Sequence, residues 1–190
     1  MKNKKRITIG VVVVLLALAA ILAVIMLKKF APNKTHMSLT KYFQVTDQGM
    51  MPVVLEDDIC GLKAIEKDGH IYVDREFVTE KLNHRFYWDA NENILLYATS
   101  SDLISVSADS DSYYVTKTAN DFGYPIVKAT SDSALIALDF VKQYSNIKYD
   151  FFEDPSRIMI TSKWGDMDTA TVKKDTQLRI KGGIKSPILK

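Results

Sequence analysis

The chain has one cysteine, Cys60, among its 190 residues, so it cannot close an internal disulfide. A domain exported without disulfides must rest on its hydrophobic core, and about 130 to 150 residues suffice for that. Histidine is nearly as scarce. His36, His70, His84 and Cys60 share no C-x-x-C or H-x-x-x-H spacing, so the sequence assigns no metal ligand and no cofactor. Cys60 follows Asp57-Asp58-Ile59 rather than the histidine and glycine that precede a cell-wall transpeptidase's nucleophile, and it reads as a small, partly buried core residue. No basic stripe with interleaved aromatics occurs, which excludes a nucleic-acid partner.

Charge is absent from one long stretch. Ile7 to Leu27 (ITIGVVVVLLALAAILAVIML) holds no ionisable side chain. At helical rise these residues span roughly 30 Å, the thickness of a bilayer's hydrocarbon core. Lys2, Lys4, Lys5 and Arg6 precede the run, and Lys28, Lys29 and Lys34 follow it. A secretory signal has a shorter apolar core and a small-x-small cleavage site, whereas this run ends in Val24-Ile25-Met26-Leu27. The expectation is an uncleaved single-pass anchor in the cell membrane, N-terminus cytoplasmic, with the rest extracytoplasmic. Residues 35–190 carry 18 basic and 23 acidic side chains, a net charge of −5, so the chain's mild basicity belongs to the anchor. An exported, cysteine-poor, lysine-rich domain of this kind reads as bacterial, Gram-positive more than eukaryotic.

Beyond the anchor the pattern is α+β and rich in strands. Residues 1–30 read as the cytoplasmic tip and membrane helix, and 31–41 as a stalk linker. Residues 42–163 read as an α+β domain, with a boundary over Lys163–Thr169 and the start of a further β module over 169–190. Val53-Val54-Leu55 and Ile71-Tyr72-Val73 predict strands, with Asp68-Gly69 as a turn. Asp74 is placed to cap a helix presenting Phe77, Val78, Lys81 and Leu82. Arg85 to Trp88, the turn Asp89–Asn93 and Ile94 to Tyr97 predict a hairpin. Leu103–Ala108 and Tyr113–Thr116 predict another, followed by a polar loop over Thr116–Gly123. The first arrangement then recurs. Leu135-Ile136 read as a strand, Asp139 to Tyr144 as a helix, and Ile147–Phe152 with Arg157–Thr161 as a hairpin. Phe77-Val78 and Phe140-Val141 lie 63 residues apart in the same role, which predicts two degenerate strand–helix–hairpin units.

The segment DGHIYVDREFVTEKLNHRFYWDANENILLYAT, residues 68–99, resembles the copper amine oxidase N-terminal-like domain. That family pairs a D-G-x-x-Y strand with a helix, a W-D strand end and an aliphatic strand. The arrangement is similar to a group of Gram-positive membrane-anchored proteins in which this domain precedes a bacterial SH3 module and a chitinase-like family-18 glycoside hydrolase domain. VKKDTQLRIKGGIKSPILK, residues 172–190, resembles the opening of that SH3 module, here incomplete. The resemblance covers roughly residues 38–190. The domain that gives the family its copper name is not the oxidase's catalytic part.

A family-18 site needs a D-x-x-D-x-D-x-E strand. Trp164-Gly165-Asp166-Met167-Asp168 supplies D-x-D, but Lys163 and Ala170 stand where the first aspartate and the acid would be. Asp89-x-Asn91-x-Asn93 opens like a calcium loop, yet Ile94 replaces the glycine and Ser100 the bidentate glutamate, so it reads as a hairpin turn. Tyr87-Trp88, Tyr113-Tyr114, Phe151-Phe152 and Trp164 offer flat rings for stacking sugars, or, by period-two geometry, one ring inward and one outward per strand. No catalytic, cofactor-binding or metal residue is assigned, and ligand-binding residues stay open. The chain is expected to be a non-catalytic extracytoplasmic cell-envelope module. It would anchor and position a wall-associated glycosidase, or bind wall polymer, with the membrane and peptidoglycan or another wall glycan as partners. The alternatives are the N-terminal part of a family-18-like hydrolase and a membrane-tethered sensor or interaction domain.

Overall fold

The computed structural model describes residues 2–46, 49–131, 133–162 and 171–189, with side chains from residue 13 onward. In chain order the elements are α1 (Lys2–Phe30), β1 (His36–Met37), α2 (Leu39–Tyr42), β2 (Met51–Leu55), β3 (Asp58–Lys67), β4 (His70–Asp74) and α3 (Arg75–Phe77), which runs on into a π-helical turn (Val78–Leu82). There follow β5 (Phe86–Asp89), β6 (Ile94–Ala98), β7 (Leu103–Ser107), β8 (Ser112–Val115), β9 (Thr118–Asp121), β10 (Val127–Ala129), β11 (Ala134–Ala137), α4 (Leu138–Tyr144), β12 (Ile147–Glu153), β13 (Ser156–Ser162) and β14 (Ile188–Leu189). The fold is α+β and strand-rich, and it falls into two compact units: Met1–Ser38 with Val172–Lys190, and Leu39–Thr171.

The first unit is built on α1. Its Val13–Phe30 segment has a mean hydropathy of 2.5 and is wholly exposed, so it is long and apolar enough to cross a bilayer. The segment expected as a stalk differs from that expectation. His36 and Met37 pair in parallel with Ile188 and Leu189. Asn33 donates from its backbone N–H to the Ile184 carbonyl at 2.7 Å and from its amide to the Lys185 carbonyl at 3.0 Å. Arg179 returns a bond to the Asn33 carbonyl at 2.9 Å. A polar, asparagine-bearing stretch that looks like linker thus finds backbone partners in the tail. Within the further β module expected over 169–190, the described residues form β14 and one isolated bridge, Arg179 to Ile188. The boundary read over Lys163–Thr169 lies outside the described residues.

The second unit contains a seven-stranded sheet ordered β10-β11-β4-β3-β2-β13-β12 and a five-stranded sheet ordered β5-β6-β7-β8-β9. All pairs are antiparallel except β13 with β2, so the larger sheet is mixed. Asp68 and Gly69 take positive φ of 56° and 79° between β3 and β4, as a two-residue primed turn requires. Asp74 caps α3 by accepting the Phe77 N–H at 3.1 Å. The structure adds two strands the pattern does not announce, β3 and β10. In β3, Gly61 at φ +83° and a charged C-terminal half disguise the alternation. It also corrects the polar loop over Thr116–Gly123. Thr116 turns at φ 57° and Thr118–Asp121 returns as β9 against β8, because backbone pairing tolerates polar side chains on an exposed edge.

A constant offset links two stretches of this unit. Ala64 faces Val73 across β3 and β4, and Val127 faces Ile136 across β10 and β11, each number being 63 larger. Phe86 faces Tyr97 across β5 and β6, and Tyr149 faces Ile160 across β12 and β13, again 63 apart. The two stretches also meet. β4 and β11 pair with Val73 opposite Ile136, Tyr72 opposite Ala137 and Asp74 opposite Leu135, a register symmetric about Val73 and Ile136. Phe77, Val78, Phe140 and Val141 are all buried in one core, with α4 against β4 and β11 and α3 against β11.

Phe140 is fully buried. Its ring centroid lies 5.0 Å from Tyr144, 5.3 Å from Tyr113, 5.5 Å from Phe122 and 6.4 Å from Phe86. Replacing Phe140 by Ala should therefore cost roughly 3 kcal/mol or more in denaturant unfolding. A midpoint unchanged from wild type would contradict this packing.

Candidate functional site

On the five-stranded sheet, period two sends alternate residues to opposite faces. Phe86, Leu95, Tyr97, Ile104, Val106 and Tyr113 are buried, and Trp88 packs partly against them. The other face is open. Along it, Tyr87 faces Leu96, Leu96 faces Ser105, and Ser105 faces Tyr114. Three interstrand steps put the end residues roughly 14 Å apart. Tyr87 is 62% exposed and Tyr114 52%, and Leu103 on the same face is 50% exposed. The result is a shallow strip with a tyrosine at each end and a leucine and a serine hydroxyl between. Flat rings at such a spacing can stack the C–H faces of a sugar chain, and the hydroxyls supply directional bonds.

Of the aromatic pairs in the sequence, Tyr113 and Tyr114 obey the inward–outward rule. Tyr87 points out and Trp88 is half-buried. Phe151 and Phe152 depart from it: both are exposed, at 37% and 40%. They lie near the hairpin tip, where Phe152 packs its ring 4.4 Å from the Arg157 guanidinium instead of on the core. Phe43 covers the other contact of that guanidinium at 4.7 Å, and burial lowers the Arg157 pKa. Trp164, Asp166 and Asp168 lie outside the described residues.

Cys60 is half-buried beside the core, its thiol donating weakly to the Asp58 carbonyl at 3.6 Å. It lines a cleft of about 300 Å³ with Asp58, Lys63, Glu76, Phe77, Glu80 and Lys81. Those charged neighbours come from β3 and the α3 turn, and nothing in the sequence joins them. The cleft lining contains no imidazole to activate the thiol. Among the described residues no group of three or more His, Cys, Asp or Glu side chains is placed to hold a metal ion. Asp89 folds its turn locally by accepting the Asn91 N–H at 2.9 Å and the Glu92 N–H at 3.3 Å.

A second cluster surrounds Asp139 on α4. Tyr149 donates to its Oδ1 at 2.7 Å and Tyr124 to its Oδ2 at 3.0 Å, while His70 stacks on Tyr124 with centroids 3.5 Å apart. Both phenol pKa values are raised, first by burial and then by the Asp139 carboxylate. Each carboxylate oxygen accepts from a phenol, so Asp139 acts as a clamp between β12, α4 and the loop before β10 rather than as a free base. Comparison of the chain with family models, with curated proteins and with solved structures gave no match.

The clamp fixes a pH dependence. A group whose pKa is raised on folding contributes stability in full below its unfolded value, about 10 for a phenol, and loses it as pH rises toward the folded value. Spectrophotometric titration should show a late-ionising fraction among the nine tyrosines. The double replacement Tyr124→Phe/Tyr149→Phe should shrink it by two phenols, and Asp139→Asn should bring those two forward. Simultaneous ionisation of all nine near pH 10 in the folded protein would refute the clamp.

Proposed function

We propose that this chain is a membrane-tethered extracytoplasmic module that binds a polymer of the cell wall, with the Tyr87–Leu96–Ser105–Tyr114 strip as its contact surface. The observation that carries the reading is that strip, solvent-facing on a regular sheet, in a chain that also bears an apolar helix of bilayer length. In this reading the helix is an uncleaved anchor with its N-terminus in the cytoplasm. The second unit is a pair of degenerate strand–helix–hairpin units, which the shared offset of 63 residues supports. The resemblance to the copper amine oxidase N-terminal-like domain and to an SH3-like opening over 169–190 gives the same direction: positioning at the wall, in company with a glycosidase.

Affinity for such a polymer is weak. A strip of two exposed rings buries little area, and stacking is worth about 1 kcal/mol per ring beyond that area. A net charge of −5 over residues 35–190 adds mild repulsion from anionic wall polymers at low salt. A membrane tether offsets both by holding the module at high local concentration beside the wall.

The test is sedimentation of the full chain, in detergent, with purified sacculi. Wild type should pellet more as salt rises. Tyr87→Ala and Tyr114→Ala should each lower the pelleted fraction severalfold without moving the thermal midpoint, because neither ring is in the core. Equal pelleting of wild type and both variants, or none at any salt, sinks the binding reading. On cells stripped of wall, external protease should remove residues 35–190, and alkaline carbonate should leave the protein in the membrane. Release into the culture fluid would mark the helix as a cleaved signal instead.

A further inference from the structure

The two ends of the larger unit's sheets are counterparts. β5 is an edge of the five-stranded sheet and β12 an edge of the seven-stranded one, and they are 63 residues apart in register. They are finished differently. At β5 the outward backbone groups of Phe86 are occupied: its N–H donates to the Asn83 carbonyl at 3.3 Å, and its carbonyl accepts from the Thr79 hydroxyl at 3.2 Å. At β12 the residue in the place of Thr79 is Lys142, which has no hydroxyl. Its ammonium sits 5.5 Å over the Tyr149 ring instead.

The direction of the free groups on β12 follows from its neighbour. The Ile160 carbonyl on β13 accepts from the Glu56 N–H at 2.9 Å, and the Ser162 N–H donates to Glu56 Oε1 at 2.8 Å, so both point away from β12. Ile160 lies opposite Tyr149 and Ser162 opposite Ile147. In an antiparallel pair, residues whose partners turn away also turn away themselves. Tyr149 and Phe151 therefore present N–H and C=O outward in the plane of the sheet, and no other described strand pairs with them. An edge left open in this way is a template for another strand.

Side chains select the strand. Lys148 and Asp150 flank Tyr149, are exposed, and enter no salt bridge among the described residues. Suppose a second β12 pairs antiparallel about Tyr149. Tyr149 then faces Tyr149, and Lys148 of each copy faces Asp150 of the other, twice. Shifting the centre to 148 or 150 sets lysine against lysine or aspartate against aspartate. A shift to 151 sets Asp150 against Phe152. The register about Tyr149 alone combines the two Lys148–Asp150 pairs with exchange of both backbone bonds at the central pair.

We propose that β12 is a self-association edge, through which two copies of this chain form an antiparallel, two-fold dimer centred on Tyr149. The test uses the full chain in detergent and follows dimerisation by sedimentation velocity. Lys148→Asp alone and Asp150→Lys alone should each weaken the dimer about tenfold or more, since two attractive cross-strand pairs become repulsive. The double variant Lys148→Asp/Asp150→Lys should restore it. A second measurement does not depend on affinity. In a Cys60→Ser background, Lys148→Cys protein mixed with Asp150→Cys protein should form disulfide-linked heterodimers, and neither alone should cross-link to that extent. The facing Cα atoms in this register would be about 4.5 Å apart, within disulfide reach. A wild-type chain that stays monomeric up to its solubility limit overturns the proposal. So does a double variant no better than the singles, or a mixture that cross-links no more than its components.

Discussion

The antiparallel pairing of β4 with β11 is the interaction on which the larger unit depends. It joins two strands from distant parts of the sequence, with Val73 opposite Ile136 and both fully buried. Each strand runs straight into a helix, and the two helices lay Phe77, Val78, Phe140 and Val141 into one common core. β3 and β10 then extend the pair on either side through matching registers. Either stretch standing alone would leave the edge of its β4 or β11 strand unpaired and part of the common core open to water, which is the situation that makes small sheets marginal. The symmetric register closes both deficits at once.

The candidate surfaces follow from that arrangement by position. The hairpin of the first stretch continues into β7, β8 and β9, and this broadens it into a sheet with one face on the core and one in water. The tyrosine strip exists because of that extension. The hairpin of the second stretch is placed instead against β2, with Glu56 reaching across to the Ser162 backbone and hydroxyl at 2.8 and 2.7 Å, and it ends the larger sheet at β12. One element therefore yields an exposed aromatic face in one context and a sheet edge in the other. At β5 the Thr79 hydroxyl and the Asn83 carbonyl occupy the outward groups of Phe86, whereas at β12 Lys142 stands in the place of Thr79 with its ammonium over the Tyr149 ring.

Much of this architecture was visible in the sequence because it is local. The apolar run of α1, the Asp68-Gly69 turn, the Asp74 cap, the hairpin around Asp89–Asn93 and the helices at 75–82 and 138–144 each announce themselves within a few residues. What was hidden is non-local. β3 and β10 lack a clean alternation and are strands because β4 and β11 offer them backbone partners. The parallel pairing of β2 with β13 joins residues about a hundred positions apart, and no pattern predicts it. The stalk seemed a linker because its partners, Ile184 to Leu189, come at the far end of the chain. Tyr87 and Tyr114 were candidates from the start, but only the registers through Leu96 and Ser105 put them in one row. The charged lining of the Cys60 cleft likewise assembles from two elements that the sequence does not connect.

Amide hydrogen exchange tests the central pairing most directly. If β4 and β11 bind the two stretches into one cooperative core, their amides exchange slowest of all. The helices and hairpins of both stretches then share the same limiting free energy, that of global unfolding. If one stretch opens and exchanges through its own lower-energy step while the other stays protected, the two are independent pieces, and an account built on their symmetric pairing is wrong.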